Sequence, residues 1–575
     1  MTTVVDVTDA YVRDSAALDP VEATFLGMPG EHVELTDYSP AGHAERVELQ
    51  RRTLARLDRA PQESSSDRLL ADLARERLTA RQAVDEMEHL RRLSIIGSPL
   101  QAVRTVFELM PRSSVQDWDA MVQRLRAVPT SLRSFRAALD RGLAEGVVAA
   151  RRQAEACALQ ASVYGGTANG APSLGGGLRD AFERTGEQHG ARSRGALRDE
   201  LVTAADAADA AFVELSDYLL RVYAPRAATT DAVGEQRYRR FTRHFTGSRL
   251  DLDELYAWGW EEVWSLDRQM QQTASQICPG GTVADAVARL EQDAQRAVHG
   301  PEAFRLWAQQ IQDEAVEVLD GSHFDVPEPV RHVEVRLAPA GSAAAPYYTQ
   351  PSQDLSRPGR VWYPTRGRDV FPLWSELSTA YHEGVPGHHL QIGTAVYRHD
   401  TLSRFQRTAQ VSGHSEGWAL YAERLMDELG FLSDPAHRLG YLAAQMLRAL
   451  RIVIDVGLHT GRPISEREPV HGGRAWTPEL AEALLAERTL RPVSFRSSEI
   501  VRYLGLPGQA ISYKVGERIW LEAREAARHR LGAAFDLAAF HDRALRLGPL
   551  GLDLLADQLA RPVENEPLAP SDAAW

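Results

Sequence analysis

The spacing of apolar residues predicts helices along most of the chain. In the ranges 41–93, 115–159 and 199–223, apolar residues recur three and four positions apart among Arg, Glu and Asp. This is the pattern of amphipathic helices that pack side by side. A further helix is expected from Asp251 to residue 273, because an Asp followed three positions later by Glu is a common helix start. The sequence therefore predicts a mainly α fold.

The pattern changes near residue 326. Val333, Val335 and Leu337 alternate with polar residues, which predicts a strand. The turn-rich, aromatic range 346–365 predicts a hairpin, so we expect a small β-sheet here. Main-chain groups of such a strand can bind an extended ligand, so this strand is a candidate for that role as well as for a structural hairpin. Tyr348 is a candidate substrate contact in the same region.

Length and charge limit the classes of function. The chain has 575 residues and a net charge of −14, which argues against a nucleic-acid partner. No apolar run approaches the ~18 residues that cross a membrane, and the first residues do not resemble a signal peptide. Two distant cysteines form neither a disulfide framework nor a zinc knuckle. We expect a cytoplasmic protein with an N-terminal helical region (1–235) and a catalytic region (236–575), or one continuous unit.

The range 381–391, YHEGVPGHHLQ, concentrates side chains that bind metals. It contains a glutamate and three histidines, namely His382, Glu383, His388 and His389. Two imidazoles and a carboxylate hold a zinc ion and leave one position open for water. Glu416, further along the chain in the motif EGW, is the candidate carboxylate. Glu383, beside the first histidine, is placed to take a proton from that water.

The histidine spacing differs from the HExxH pattern, in which two His lie four apart on one helix face. His382 and His388 are six apart, and on an unbroken helix they would point roughly 120° away from each other. His389 would align with His382 but lie roughly 10 Å further along the axis. Pro386 and its flanking glycines disfavour an unbroken helix. We predict a kinked zinc helix in which His382 and His388 converge, with His389 as the alternative ligand.

A second group of polar residues lies on an otherwise apolar helix from 441 to 461. They recur at steps of three and four, which places them on one face: Arg448, Arg451, Asp455 and His459. Because buried charges are paired or functional, this stripe either faces a cleft or forms a salt-bridge network of its own. In the first case Asp455 orients a ligand histidine or pairs with Arg451, and His459 stabilises developing charge.

The range 501–520 supplies further candidates. Tyr503 or Tyr513 is expected to donate its hydroxyl to the oxyanion of a tetrahedral intermediate, and Tyr513 is preferred for its polar neighbours. One of these is Lys514, the only lysine in the chain, which is either incidental or needed as a compact cation. The candidate substrate-binding residues are Arg451, Arg502, Gln509, Lys514 and Tyr348.

Three motifs resemble a bacterial family known only as domain of unknown function 885. They are HEGVPGHHLQ (382–391), EGWALYAE (416–423) and PGQAISYKVG (507–516). The resemblance covers nearly the whole chain. It implies a large helical body split by a deep channel, similar to the gluzincins carboxypeptidase Taq and neurolysin. By that likeness His382, His388 and Glu416 correspond to the metal ligands and Glu383 to the general base.

These observations favour a metallohydrolase with one zinc ion, although iron or manganese also suits two histidines and a carboxylate. The leading hypothesis is a peptidase of the carboxypeptidase or dipeptidase type, in which Tyr513 and His459 bind the oxyanion. The alternatives are a hydrolase or lyase acting on small amides, and a peptide-binding scaffold without activity. A peptide or small amide is thus the expected partner, and the sequence does not indicate an oligomeric state.

Overall fold

A computed structural model of the protein describes residues 2–28, 30, 33–168, 172–185, 191–338, 345–489 and 491–561. The fold is mainly α with two small sheets, which confirms the predicted fold class. The N-terminal helices are α1 (Val4–Leu18), α2 (Pro20–Phe25), α3 (Pro40–Leu57), α4 (Ser65–Glu88), α5 (Pro99–Leu109), α6 (Val115–Glu145), α7 (Arg151–Tyr164), α8 (Leu174–Thr185) and α9 (Ala191–Tyr218).

The second half of the chain carries the helices from which the candidate site is built. They are α10 (Glu235–Thr246), α11 (Leu252–Ile277), α12 (Val283–Gln292), α13 (Pro301–Leu319), α14 (Glu376–Glu383), α15 (His388–Tyr397), α16 (Arg404–Thr408), α17 (Ser412–Glu428), α18 (Pro435–Thr460), α19 (Pro478–Thr489), α20 (Val493–Gly505), α21 (Ser512–Leu531), α22 (Leu537–Arg546) and α23 (Leu552–Ala560). No helix of the described ranges has the length and apolar character needed to cross a membrane.

The strands lie just before the candidate metal segment. They are β1 (Ala297–His299), β2 (Val333–Leu337), β3 (Tyr347–Thr349), β4 (Gly359–Tyr363) and β5 (Val370–Pro372). In the three-stranded sheet, β4 lies between β2, to which it is parallel, and β3, to which it is antiparallel. The other sheet pairs β1 with β5. The predicted strand at 333–337 and the hairpin in 346–365 are confirmed.

The helices form where the apolar spacing predicts them, but turns divide the longer ranges. The range 115–159 contains α6 and α7, and α6 ends at Gly146 in a left-handed conformation with φ of 72°. The range 41–93 contains α3 and α4. The predicted start of α11 is confirmed, since the carboxylate of Asp251 accepts the backbone N–H groups of Asp253 and Glu254.

Two large hydrophobic clusters hold these helices together. One contains residues of α5 to α9 and ends at Ala227, near the predicted boundary at 235. The other joins α11, α17, α18 and α21 with α1, α3 and α4 from the N-terminal region. A smaller cluster packs Phe304 of α13 against the strands. The N-terminal helices therefore contribute to both clusters.

The helices α17 and α21 cross at very short range, because glycines lie where they meet. A Cβ on Gly516 would lie 2.0 Å from the carbonyl oxygen of Gly413 and 2.5 Å from the Cα of Gly417. A Cβ on Gly417 would lie 2.4 Å from the Cα of Gly516. Atoms cannot approach that closely, so these positions require glycine. The crossing fixes Glu416, which directly precedes Gly417, relative to Tyr513, which lies three positions before Gly516.

We expect Gly516→Ala to lower the free energy of unfolding by about 1–3 kcal/mol or more, because the added methyl group forces the two backbones apart. Chemical denaturation measures this change. Gly177→Ala, in α8, is the control: its Cβ would meet no atom within 4 Å, so we expect no loss and a gain of up to about 1 kcal/mol. Equal effects of the two substitutions would contradict the crossing as described.

Candidate metal centre

A break between two helices shapes the candidate centre. The helix α14 ends at Glu383, and α15 begins at His388 after a turn that contains a cis Val385–Pro386 bond. The side chain of Gln312 holds this turn from α13, since its oxygen accepts the N–H of Val385 at 2.8 Å and its amide donates to the carbonyl of Ala380 at 2.9 Å. The predicted kink is thus a complete break, and buried hydrogen bonds satisfy its free backbone groups.

The glycines of the turn make room for these contacts. A Cβ on Gly384 would lie 1.8 Å from the side-chain oxygen of Gln312, and one on Gly387 would lie 2.0 Å from the carbonyl oxygen of His382. The indole N–H of Trp418, on α17, donates to the carbonyl of Pro386 at 2.8 Å. The turn is therefore fixed from both sides.

The break brings His382, His388 and Glu416 together. Their ligand atoms all lie within 4.8 Å of one another. The Nε2 of His382 is 3.4 Å, and the Nε2 of His388 3.6 Å, from the same carboxylate oxygen of Glu416. A tetrahedral zinc ion with bonds of about 2.0–2.2 Å needs donor atoms about 3.4 Å apart. The triad is mostly buried, and its geometry and donor set fit such an ion.

A second carboxylate orients the first histidine. The Nδ1 of His382 lies 2.7 Å from Oε1 of Glu423, and the hydroxyl of Ser378 donates to Oε2 of the same carboxylate. Glu423 is 1 % exposed. A carboxylate on the far nitrogen of a ligand histidine fixes the ring and directs Nε2 towards the metal. The structure therefore gives this role to Glu423, and the prediction that Asp455 orients a ligand histidine is wrong.

The charges of the pocket also suit a cation. Burial alone would lower the pKa of His382, but Glu416 and Glu423 raise it to about 9. Burial alone would raise the pKa of Glu416, but His382 and His388 hold it well below its usual range. Several carboxylates thus surround two imidazoles in a buried space. A divalent cation between the ligand atoms would balance this negative charge.

Glu383 lies at the last position of α14, next to His382. Its side chain is buried, and burial raises the pKa of its carboxyl group, although His382 and His388 act in the opposite direction. A carboxylate with a raised pKa accepts a proton more readily near neutral pH. Its position and environment are therefore compatible with the predicted role of general base.

Tyr513 lies between the triad and a group of arginines. Its ring is nearly parallel to that of His382, with the ring centres 6.4 Å apart, and the guanidinium of Arg451 lies over it at 4.5 Å. Among the described residues, none hydrogen-bonds its hydroxyl. Burial, together with the charge of Glu416, raises the pKa of this hydroxyl, so it stays protonated and able to donate. The structure brings Tyr513 to the triad.

Arg451 and Arg502 share one carboxylate. The Nε and Nη2 of Arg451 and the Nη2 of Arg502 all donate to Oε2 of Glu499, at 2.9–3.1 Å. The Nη1 of Arg502 donates to Gln509 at 2.9 Å, and Gln509 approaches the hydroxyl of Ser412 on α17 at 3.4 Å. These three predicted substrate-binding residues are therefore grouped beside Tyr513.

His459 does not fit its predicted role as an oxyanion donor. Its Nε2 lies 3.0 Å from the carbonyl of Tyr503, and its Nδ1 accepts the N–H of Val233 at 3.3 Å. Both ring nitrogens are thus engaged with the backbone, and the side chain is fully buried. Along α18 it lies roughly 12 Å from Arg451, since each residue advances the helix by about 1.5 Å. His459 joins α18 to neighbouring segments.

Asp455, one turn before His459, also forms its hydrogen bonds with residues outside α18. Its Oδ2 accepts the hydroxyl of Tyr238 at 2.7 Å and the backbone N–H of Gly508 at 2.8 Å. It does not pair with Arg451, as the sequence suggested, because Arg451 reaches Glu499 instead. Asp455 therefore holds the 507–509 turn that leads into α21.

Lys514 is a structural cation in this fold. Its ammonium group contacts Glu517, Glu262 at 3.1 Å and Gln445 at 3.1 Å, and the residue is 1 % exposed. Two hydrogen bonds and an ion pair surround this buried group, so the predicted contact with a substrate does not fit this position. The side chain joins α21 to α11 and α18.

Tyr348 and His389 pair with each other away from the triad. The hydroxyl of Tyr348 lies 3.1 Å from Nδ1 of His389, whose Nε2 lies 2.7 Å from the carbonyl of Val330. The structure therefore selects His388 over the alternative ligand His389. The pair joins the sheet to α15 and leaves the Tyr348 hydroxyl engaged, which does not favour a substrate contact.

Several residues of the centre are not among those predicted from the sequence. Glu423 lies seven positions after Glu416, on the same face of α17, and that spacing is a readable signal. Glu499 precedes Arg502 by three positions, which is also a readable helical pair. Gln312 is distant in sequence from the turn that it holds, and no local pattern marks it.

We expect His388→Ala to weaken zinc binding by about 100-fold or more, because losing even an outer partner of a ligand costs 10–100-fold. His389→Ala is the matched control. It removes hydrogen bonds to Val330 and Tyr348, so it should lower thermal stability while zinc affinity changes by less than about threefold. Titration against a competing chelator measures both affinities. The reverse pattern would assign the ligand to His389.

Asp455 should make stability depend on pH. Burial raises its pKa to about 7 from an ordinary value of 3.8, despite the hydrogen bonds from Tyr238 and Gly508. Between these two pKa values the folded protein binds a proton that the unfolded chain has lost. The contribution of this protonation to the free energy of unfolding is therefore complete below about pH 4 and is lost as the pH rises to about 7. We expect Asp455→Asn to gain stability relative to the parent across that window. Denaturation of both proteins with chelator present tests this, and a pH-independent difference would contradict it.

The fold also occurs in solved structures of proteins described as putative lipoproteins. One, from Colwellia psychrerythraea, superposes with a TM-score of 0.83 at 22 % identity, covering 97 % of this chain and 99 % of the other. Another, from Shewanella oneidensis, superposes with a TM-score of 0.70 at 17 % identity, covering 98 % and 100 %. At such identities the likeness concerns the fold alone. No functionally curated protein is similar enough in sequence to match.

The family comparison covers most of the chain, including every residue of the triad. The family of bacterial proteins of unknown function, DUF885, matches residues 20–559. The three motifs that resemble this family contain His382, His388, Glu416 and the turn held by Asp455. The chain therefore belongs to the DUF885 family.

Proposed function

We propose that this protein is a zinc-dependent metallohydrolase that cleaves peptides, of the carboxypeptidase or dipeptidase type. The observation that carries the proposal is the buried group of His382, His388 and Glu416 with Glu383 beside it. The resemblance to the gluzincins carboxypeptidase Taq and neurolysin supports the same reading. Iron or manganese suits this donor set too, and zinc is preferred for the tetrahedral spacing.

A zinc ion held by the triad would supply a Lewis acid that polarises a carbonyl and lowers the pKa of water. The side chains of this protein then have separate tasks. Glu383 accepts a proton from the attacking water and passes it to the leaving amine, for which its raised pKa suits it. The hydroxyl of Tyr513 donates a hydrogen bond to the oxygen on which negative charge develops. Glu423 keeps the ring of His382 oriented.

The same residues suit a smaller substrate. The guanidinium of Arg451 lies only 4.5 Å from the ring of Tyr513, so a short amide that carries a carboxylate reaches both the triad and the arginines. A hydrolase of small carboxylated amides is therefore the second candidate. A cytoplasmic location remains a prediction from the sequence.

We expect Glu383→Gln to keep zinc and to lower the rate of peptide cleavage by at least about 100-fold, since a general base contributes 10²–10⁴-fold. Metal analysis of the purified variant and mass spectrometry of a mixed peptide library measure the two effects. Glu522→Gln, at an exposed position on α21, is the control and should match the parent.

Full activity of Glu383→Gln would contradict the proposed role of this carboxylate. A parent protein that binds one equivalent of zinc and cleaves no member of the library would contradict peptidase activity.

A further inference from the structure

Two buried arginines near the triad have donors that no described residue accepts. The Nη1 of Arg451 and the Nε of Arg502 are buried without a hydrogen-bond partner. The two residues are 7 % and 9 % exposed. Buried charged donors are seldom left unpaired, because removing them from water without a new hydrogen bond is unfavourable. These N–H groups therefore suit an acceptor that arrives with a ligand.

The charged groups next to Tyr513 and Tyr503 include more guanidinium groups than paired carboxylates, which also favours an anionic ligand. The guanidinium groups of Arg448 and Arg451 lie 5.9 Å and 4.5 Å from the ring centre of Tyr513, and that of Arg502 lies 5.2 Å from the ring centre of Tyr503. Glu499 is the carboxylate that pairs with both Arg451 and Arg502, and this attraction lowers its pKa to about 2 despite burial. One negative charge thus faces several positive ones, and an anion would balance the remainder.

Glu499 also fixes the arginines in place. Its Oε2 accepts the hydroxyl of Tyr503 at 2.7 Å in addition to the guanidinium groups. Arg502 is held from its other side by Gln509. Guanidinium groups that are already positioned lose little entropy when they bind a carboxylate, and their planar fork matches its two oxygens.

The distance from this positive pocket to the triad sets the length of the ligand. The ring of Tyr513 lies 6.4 Å from that of His382 and 4.5 Å from the guanidinium of Arg451. One extended residue spans about 3.5 Å, so the two distances together span at most about three extended residues. A carbonyl group at the triad and a carboxylate at the arginines therefore lie within about three residues of each other in a peptide.

We propose that Arg451 and Arg502, held by Glu499, bind the free C-terminal carboxylate of the substrate. The substrate class is then peptides or acylated amino acids with an unblocked α-carboxylate, cleaved within about three residues of that end. This inference rests on the proposed hydrolase only for the cleavage, because binding of the carboxylate is separately measurable.

The test uses the zinc-loaded full chain with Glu383→Gln, which binds substrate without turning it over. Two probes of the same sequence are titrated by calorimetry, an N-acetylated tripeptide with a free carboxylate and its C-terminal amide. We expect the acid to bind about 10–100-fold more tightly, the equivalent of one or two charge-assisted hydrogen bonds. Adding Arg451→Met or Arg502→Met should remove that preference without lowering zinc content.

Arg488→Met is the matched control, since Arg488 is also paired with carboxylates, those of Glu468 and Asp267, but belongs to α19. It should keep the preference for the acid. Equal affinity of acid and amide in the Glu383→Gln protein would overturn the inference, as would a preference that persists in both arginine variants. A preference for the acid without cleavage by the parent would uphold the inference and contradict the peptidase proposal.

Discussion

The break between α14 and α15 is the constraint on which the candidate centre depends. Six positions separate His382 from His388, and an unbroken helix would turn one of them away from the other. The turn lets both side chains approach Glu416. It is stable because Gln312 and Trp418 satisfy its free backbone groups. Without these bonds a buried turn would leave polar groups unpaired, at a cost that the packing around it would have to offset.

The residues of the EGW motif connect this turn to the rest of the molecule. Glu416 completes the triad, Gly417 allows α21 to approach, and Trp418 binds the turn. Three neighbouring residues of one helix therefore face three different partners. The short crossing at Gly417 also brings Tyr513 near the triad. The candidate metal-binding group, the helix packing and the position of Tyr513 are thus linked through a single turn of α17.

Two pockets of opposite charge meet at Tyr513. On one side, the carboxylates of Glu383, Glu416 and Glu423 surround two imidazoles, and on the other, arginines outnumber the carboxylate of Glu499 with which they pair. Each group carries an excess of one charge among its directly paired side chains, which distinguishes both from the paired network of Lys514. A buried charge without a partner is costly, so such pockets suit a bound cation and a bound anion. A bound peptide would extend between them, with its carboxylate at the arginines.

Local patterns in the sequence were sufficient for the fold class, the strands and the group of metal-binding side chains. The apolar spacing predicts the helices because burial of one face decides their formation. The choice between His388 and His389 was not decidable from spacing, because it depends on the conformation of the turn. The roles predicted for His459, Lys514 and Asp455 do not fit the structure. A polar residue on an apolar helix indicates that the residue has a partner, but the sequence does not identify that partner. Gln312 supplies a contact from another helix, and only the assembled fold places it beside the turn.

Anomalous diffraction at the zinc absorption edge, from crystals of the zinc-loaded protein, would locate the bound ion. We expect one strong peak about 2.0–2.2 Å from Nε2 of His382, Nε2 of His388 and a carboxylate oxygen of Glu416. A peak at His389, or an empty triad in a crystal that binds zinc elsewhere, would contradict this expectation.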